Sequence, residues 1–294
     1  MAEARRRIAV VTGANKGLGL EICRQLASNG ITVVLTARDE KKGLEAAEKL
    51  KRSGCHHVVF HQLDVADRAS VTSLADFITT QFGKLDILVN NAGISGAVFR
   101  DDASSHIKEG LPIKWNLIMT QSYELAEECL QINYYGTKRM CEALIPLLQL
   151  SSSPRIVNVS STLGKLQYVT NEWAKGVFRD IKDLTTESLD ELLKQYLNNY
   201  KEGLLETRGW PGFLSAYILS KAAMNAYTRM LANKYPAFCI NCVCPGYVKT
   251  DMNYNTGILS VEQGAESCVK LAILPNGGPS GLFFSREEEA SFDT

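Results

Sequence analysis

An α/β fold, doubly wound about a parallel sheet, is the architecture this sequence predicts, on three observations. Short apolar runs rich in β-branched residues alternate with amphipathic helical segments, as in successive βαβ units. A glycine-rich turn stands between the first such run and the first helix. The chain has 294 residues, 45% hydrophobic and 22% charged, so it builds a large core yet exceeds a simple α/β domain by only about 40–90 residues. A single domain over 1–294 is therefore expected, with insertions at about 94–120 and 162–212.

The elements follow in order. Ile8–Thr12 is a buried strand, and Leu18–Asn29 a helix with Leu18, Ile22 and Leu26 at four-residue spacing, closed by Gly30. Ile31–Thr36 is the second strand, and Asp39 or a neighbour caps a polar helix reaching about Arg52. His57–His61, Ser70–Gln81 and Ile87–Val89 give strand, helix and strand. Tyr123–Leu150 reads as a helix on both sides of Asn133, with a kink expected near Gly136 or Pro146. Strand Arg155–Ser160, long helix Phe213–Tyr235, strand Phe238–Cys244, helix Val261–Leu274 and strand Gly281–Ser285 complete seven strands.

Two stretches break the rhythm. Ile94–Thr120 has no clean period. Thr162–Gly212 is too long for a bare crossover loop. Leu189, Leu192, Leu193, Tyr196, Leu197 and Tyr200 form one helical stripe within it. Thr185 or Ser188 can cap that helix, and Ser188 with Glu191 has capping-box spacing.

Composition excludes several functions. With 32 basic and 32 acidic residues the formal charge is zero, which argues against broad nucleic-acid or anionic-membrane binding. No apolar run is long enough for a membrane helix. Arg5–Arg7 lead straight into a strand rather than a signal-peptide core, so a cytoplasmic location is expected. The eight cysteines are read as reduced core fillers. Cys239, Cys242 and Cys244 cluster without a nearby histidine, and no metal site is expected.

Thr12-Gly13-Ala14-Asn15-Lys16-Gly17-Leu18-Gly19 carries the first chemistry. Between a strand and a helix, its glycines allow a tight turn and close approach to a pyrophosphate, while the helix start offers free N–H groups. The glycine spacing, G-x-x-x-G-x-G, resembles that of the short-chain dehydrogenase/reductase family. The resemblance implies a Rossmann fold: a doubly wound, seven-stranded parallel sheet with helices on both faces and, here, an inserted helical segment before the tyrosine-bearing helix.

Further motifs agree in order. The second strand ends Leu35-Thr36-Ala37-Arg38. Arg38, with Lys16 in the glycine turn, suits a 2′-phosphate, favouring NADPH/NADP+ over NAD. In Leu63-Asp64-Val65 the resemblance implies an adenine contact for Asp64, with Val65 beside it. Asn90-Asn91-Ala92-Gly93 matches the family signature after the fourth strand, implying a cofactor contact for Asn91 and a strand tie for Asn90. In Tyr217-Ile218-Leu219-Ser220-Lys221, the i, i+4 spacing puts Tyr217 and Lys221 on one helix face. A nearby ammonium favours the phenolate and should lower a tyrosine pKa that ordinarily lies near 10. The resemblance makes Tyr217 the proton donor to a carbonyl, Lys221 its modulator and a ribose contact, and Ser161 of the Ser160-Ser161 pair the group that holds the substrate oxygen. Asn133 takes the fourth catalytic position, holding a water that connects Lys221 to solvent. Pro245-Gly246-Tyr247-Val248-Lys249-Thr250 implies a nicotinamide cradle, with Val248 supplying backbone and Thr250 a hydroxyl.

The resemblance narrows to monomeric carbonyl reductases through the Asn-Lys of the glycine turn, Thr36-Ala37-Arg38-Asp39 and Phe60-His61-Gln62-Leu63-Asp64. Asn171-Glu172-Trp173-Ala174, Gly209-Trp210-Pro211 and Val248–Tyr254 resemble plant menthone (neomenthol-forming) and salutaridine reductases, which act on terpenoid or alkaloid ketones. NADPH-dependent reduction of a hydrophobic ketone to a secondary alcohol is thus the implied activity, as part of plant secondary metabolism. The alternatives are reduction of an enone C=C bond, for which related enzymes lack the tyrosine present here as Tyr217, and non-catalytic NADP(H) sensing. The inserted helix can cover the face that many relatives use for dimers, so a monomer is expected. Phe99, Leu111, Ile113 and Trp115 either form an apolar lid or anchor their loop. Leu163, Tyr168, Tyr247 and Tyr254 are pocket candidates by loop position.

Overall fold

The computed structural model describes residues 6–100 and 118–294. Strands β1 (Ile8–Val11), β2 (Thr32–Ala37), β3 (Val58–Gln62), β4 (Ile87–Asn90), β7 (Arg155–Val159), β8 (Cys239–Cys244), β9 (Phe283–Ser285) and β10 (Glu288–Ala290) form one sheet. Their order is β10-β9-β8-β7-β4-β1-β2-β3. Seven run parallel, and β10 returns antiparallel to β9. The sheet is thus eight-stranded, one more than the sequence pattern predicts. Glu288-Glu289-Ala290 lies at an exposed edge and is defined by backbone pairing, so no apolar alternation marks it. A two-stranded ribbon, β5 (Val98–Phe99) with β6 (Met119–Thr120), stands apart.

Apolar residues line both sides of the sheet, as a parallel arrangement requires. On one side Val11, Val33, Val89 and Val157 pack against α1 (Gly17–Ser28), α2 (Glu40–Arg52) and α9 (Val261–Ala272). On the other, Val10, Val34, Leu88 and Ile156 meet α3 (Arg68–Phe82), α4 (Tyr123–Leu130), α5 (Thr137–Leu148) and α8 (Ser215–Lys234). Helices α4 and α5 are continuous through a π segment, Gln131–Gly136. The expected irregularity near Gly136 is this wider turn, while Pro146 sits inside α5.

Asp39 caps α2 by accepting from Lys42 N at 2.9 Å. The insertion before α8 carries α6 (Glu172–Arg179) and α7 (Thr186–Lys201). Helix α6 buries only Ala174 and Phe178, too little to leave a readable period. Helix α7 buries Leu189, Leu192, Leu193 and Tyr196, the expected stripe. Its capping box joins Thr185 to Ser188 rather than Ser188 to Glu191. Among the described residues, no helix is long and apolar enough to cross a membrane.

Candidate active site

Strand order reverses between β1 and β4, and ligands of open α/β sheets bind at the carboxyl ends beside such a switch point. There the glycine turn is locked to the segment after β4. Asn91 N and Ala92 N both donate to Thr12 Oγ1 at 2.9 Å, and Asn91 Nδ2 donates to Thr12 O at 2.9 Å and Gly13 O at 3.0 Å. Gly13 has φ +62°, and a Cβ there would lie 2.9 Å from Ala92 Cα. On Gly19 it would lie 2.5 Å from Asn91 Nδ2 and 2.6 Å from Gly13 O. The Asn91 amide therefore shapes the turn.

Lys16 is the N-cap of α1, and its side chain makes no capping bond. Half-buried Asn15 and Leu18 flank it, and Leu18 lies against Gly264 of α9. The Lys16 ammonium instead meets Asp251 Oδ2 at 2.6 Å. Arg38 is exposed at the end of β2, its guanidinium without an ion-pair partner among the described residues. Asp64 Oδ1 accepts from Ala66 N at 2.9 Å, and Val65 is buried against Gly136 of the π segment. Asp64 and Val65 thus stand at the rim, tied to their own loop and to the π segment.

The chemistry-bearing side chains converge between β7, α8 and the π segment. Ser161 follows β7, accepts from Leu163 N at 3.2 Å and lies close enough to act on the Tyr217 phenol. Lys221 lies one helical turn beyond Tyr217, with Nζ 5.7 Å from the tyrosine ring centre. That ammonium is buried and donates to Val159 O at 2.8 Å. Asn133 is fully buried: Oδ1 accepts from Ile94 N at 2.9 Å, and Nδ2 donates to Ile94 O at 2.9 Å and Ser220 Oγ at 3.0 Å. Its carbonyl accepts from Thr137 Oγ1 at 2.8 Å. Asn133 and Lys221 both face Gly93, so the β4 end, the π segment and α8 meet at one point. Asn90 ties strands as expected, donating to Asn158 Oδ1 at 2.8 Å.

Electrostatics correct one expectation. Burial pushes the Tyr217 phenol above its ordinary value, and the Ser161 hydroxyl offsets only part of this. Burial also pushes Lys221 down to about 8. The lysine does not bring the tyrosine down toward neutrality. Tyr217 is held as a neutral phenol, a proton donor.

The loop after β8 lies over the glycine turn, with Thr250 Cγ2 beside Gly17. Pro245 and Gly246 lead into it. Val248 N donates to Gly246 O at 3.1 Å, and Val248 O accepts from Asn253 Nδ2 at 2.7 Å. The backbone expected to meet a carboxamide is therefore already engaged within its loop. Tyr254 stacks on Phe99 with ring centres 3.8 Å apart, joining this loop to β5. Tyr247 hydrogen-bonds Thr256. A cavity of about 760 Å³ opens beside the start of α8, lined among the described residues by Gln121, Tyr200, Trp210, Phe213 and Leu214 with others. None of Leu163, Tyr168, Tyr247 or Tyr254 lines it. Leu111, Ile113 and Trp115 lie outside the described residues. The sequence reading missed Ser220 and Gln121, whose hydroxyl and amide carry no motif and tie the site to distant partners.

The family profile of the short chain dehydrogenases matches residues 7–172. The chain belongs to this family. As a short-chain dehydrogenase it is an oxidoreductase, and the family fold uses a nicotinamide cofactor. It is 60% identical to a (+)-neomenthol dehydrogenase of Arabidopsis thaliana, over 99% of this chain and 100% of the relative. The solved structure of salutaridine reductase from Papaver somniferum superposes with TM-score 0.89 at 56% identity, covering 95% of this chain and 99% of that one. Carbonyl reductase (NADPH) 1 of Mus musculus is 37% identical over 95% of each chain.

Proposed function

We propose that the protein reduces a hydrophobic ketone, of terpenoid or alkaloid type, to a secondary alcohol with NADPH. The observation that carries this reading is the grouping of Ser161, Tyr217 and a buried Lys221, the lysine one helical turn from the tyrosine. The names of the relatives, one of which specifies NADPH, agree with it.

The residues present fit the cofactor. The glycine turn is a cradle that a single Cβ at Gly19 would fill, and the uncapped start of α1 suits a pyrophosphate. Gly13, Asn15, Gly17, Leu18 and Gly19 would hold that pyrophosphate, Arg38 with Lys16 a 2′-phosphate, and Lys221 with the Pro245–Thr250 loop the nicotinamide side. NADPH supplies the hydride when bound. Ser161 holds the carbonyl oxygen, and Tyr217 gives that oxygen its proton as negative charge develops. Lys221, still charged below about pH 8, stabilises the phenolate left behind. Asn133 fixes Ile94 and the π segment, keeping a proton path at Lys221 in register.

The protein acts as a cytoplasmic monomer in this reading, with α7 burying its apolar stripe against its own core. The test is a panel of terpenoid, alkaloid and aromatic ketones, followed by cofactor oxidation and product analysis, with NADH in parallel. Secondary alcohols formed with NADPH are expected. Saturated ketones from cyclic enones, or NADPH binding without turnover across the panel, would overturn it.

A further inference from the structure

One hydrogen-bonded relay leads from the inserted helix to the catalytic one. Tyr196 OH and Ser215 Oγ lie 2.6 Å apart, and Ser215 Oγ donates to Gln121 Oε1 at 2.9 Å. Gln121 Nε2 donates to Gly96 O at 2.9 Å. The directions are forced. Gly96 O can only accept, so the amide turns Nε2 toward it and Oε1 toward Ser215. Ser215 gives its one proton to Oε1, so Tyr196 must donate to Ser215. One turn further along α7, Tyr200 OH donates to Gln121 O at 2.6 Å.

Ser215 opens α8, two residues before Tyr217. Leu214 ahead of it has φ +47°, a left-handed backbone that strains a leucine and persists only where neighbours impose it. Gly96 lies two residues beyond Ile94, which Asn133 clamps through both backbone groups. The relay thus fixes the first turn of α8 against the segment that Asn133 holds. We propose that Ser215 is a positioning residue for Tyr217, with Tyr196 and Gln121 as its anchors, so that the inserted helix sets the aim of the proton donor. The proposal rests on the ketone-reductase reading.

The test compares Ser215→Ala, Ser215→Thr and Tyr196→Phe in the full chain with wild type, using the best ketone of the panel. It measures kcat, KM for ketone, NADPH affinity by fluorescence titration, and Tm. Ser215→Ala should lower kcat about tenfold, since small misplacements of a reacting group are costly, while NADPH affinity stays unchanged. Ser215→Thr keeps the hydroxyl, has the adjoining cavity for its methyl, and should restore kcat. Tyr196→Phe should lower kcat without an equal loss of NADPH affinity, and it carries the test if Ser215→Ala does not fold. Unchanged kcat in both, no rescue by threonine, or a fall in kcat matched by lost NADPH affinity would overturn the proposal. If wild type turns over no ketone, the function reading itself fails and this one falls with it.

Discussion

On the nucleotide side of the site, the turn from Thr12 to Gly19 is held at its start by one other short segment, Asn91–Ala92. On the opposite side, the start of α8 is held by Gln121, Tyr196 and Tyr200, which come from the β6–α4 connection and the inserted helix. The first wall is built by exclusion: glycines are required where a Cβ would strike backbone or the Asn91 amide. The second is built by hydroxyls and amides whose partners are 19 to 94 residues away. A tight turn tolerates no change of shape, whereas a relay tolerates shape changes but no loss of a donor.

The largest effect should come where the two walls meet. Tyr217→Phe removes the proposed proton donor and should lower kcat by about 10²–10⁴-fold, the usual worth of general acid catalysis. NADPH affinity, measured by fluorescence titration, should hold. The same meeting point sets the pH dependence. Lys221 is pushed down to about 8, so ketone reduction should fall as pH rises through about 8. Folding responds in the opposite sense. Between about 8 and its ordinary 10.5, the unfolded chain holds a proton that the folded chain has released, so the Lys221 contribution to stability rises with pH across that window, while five buried thiols pushed above their ordinary 9.0 pull the total the other way. The rate profile checks the first sign, and the difference between wild-type and Lys221→Met denaturation profiles checks the second.

Gly19→Ala attacks the excluded-volume wall alone. Its Cβ would lie 2.5 Å from Asn91 Nδ2 and 2.6 Å from Gly13 O. Overpacking of this kind costs about 1–3 kcal/mol, and NADPH affinity should fall with Tm. A variant that binds NADPH normally would show that the turn can widen, and the contrast between the walls would lose its basis.

The same contrast explains what the sequence made legible. The seven parallel strands, α1, α2 and α3, and the Tyr217–Lys221 pair follow local periodicity and spacing, and all appear at the expected places. So does the inserted helix, because Leu189, Leu192, Leu193 and Tyr196 write its buried face into the sequence. The edge strand β10 and short α6 bury too little to leave a pattern. Gln121 and Ser220 matter through bonds to residues far along the chain, and nothing local distinguishes them from surface residues. The raised Tyr217 pKa escapes the sequence for a related reason: spacing reveals the neighbouring lysine but not the burial that pushes the phenol up.

Arg38→Ala tests a smaller contribution on the nucleotide side. Loss of one charge-assisted contact to a 2′-phosphate is worth about tenfold in affinity. KM for NADPH should rise by that factor, while NADH turnover, which needs no such contact, should change little. Equal losses with both cofactors would move Arg38 out of the phosphate site.

The smallest effect concerns the ion pair that joins the glycine turn to the loop after β8. Lys16 and Asp251 are 66% and 61% exposed, so their 2.6 Å contact contributes less than about 1 kcal/mol to stability. Hydrogen bonding to Lys16 nevertheless holds Asp251 below the usual carboxylate range, and in the proposed reading the pair keeps that ammonium from acting fully on the 2′-phosphate. Asp251→Asn should leave Tm nearly unchanged and tighten NADPH binding by about two- to threefold, with the gain fading at high salt as exposed charges are screened. Titrations at low and high ionic strength separate this from the other role the geometry allows. If binding weakens instead, and equally at both salt levels, Asp251 serves to hold its loop down over Gly17, and shape rather than charge governs this wall to its edge.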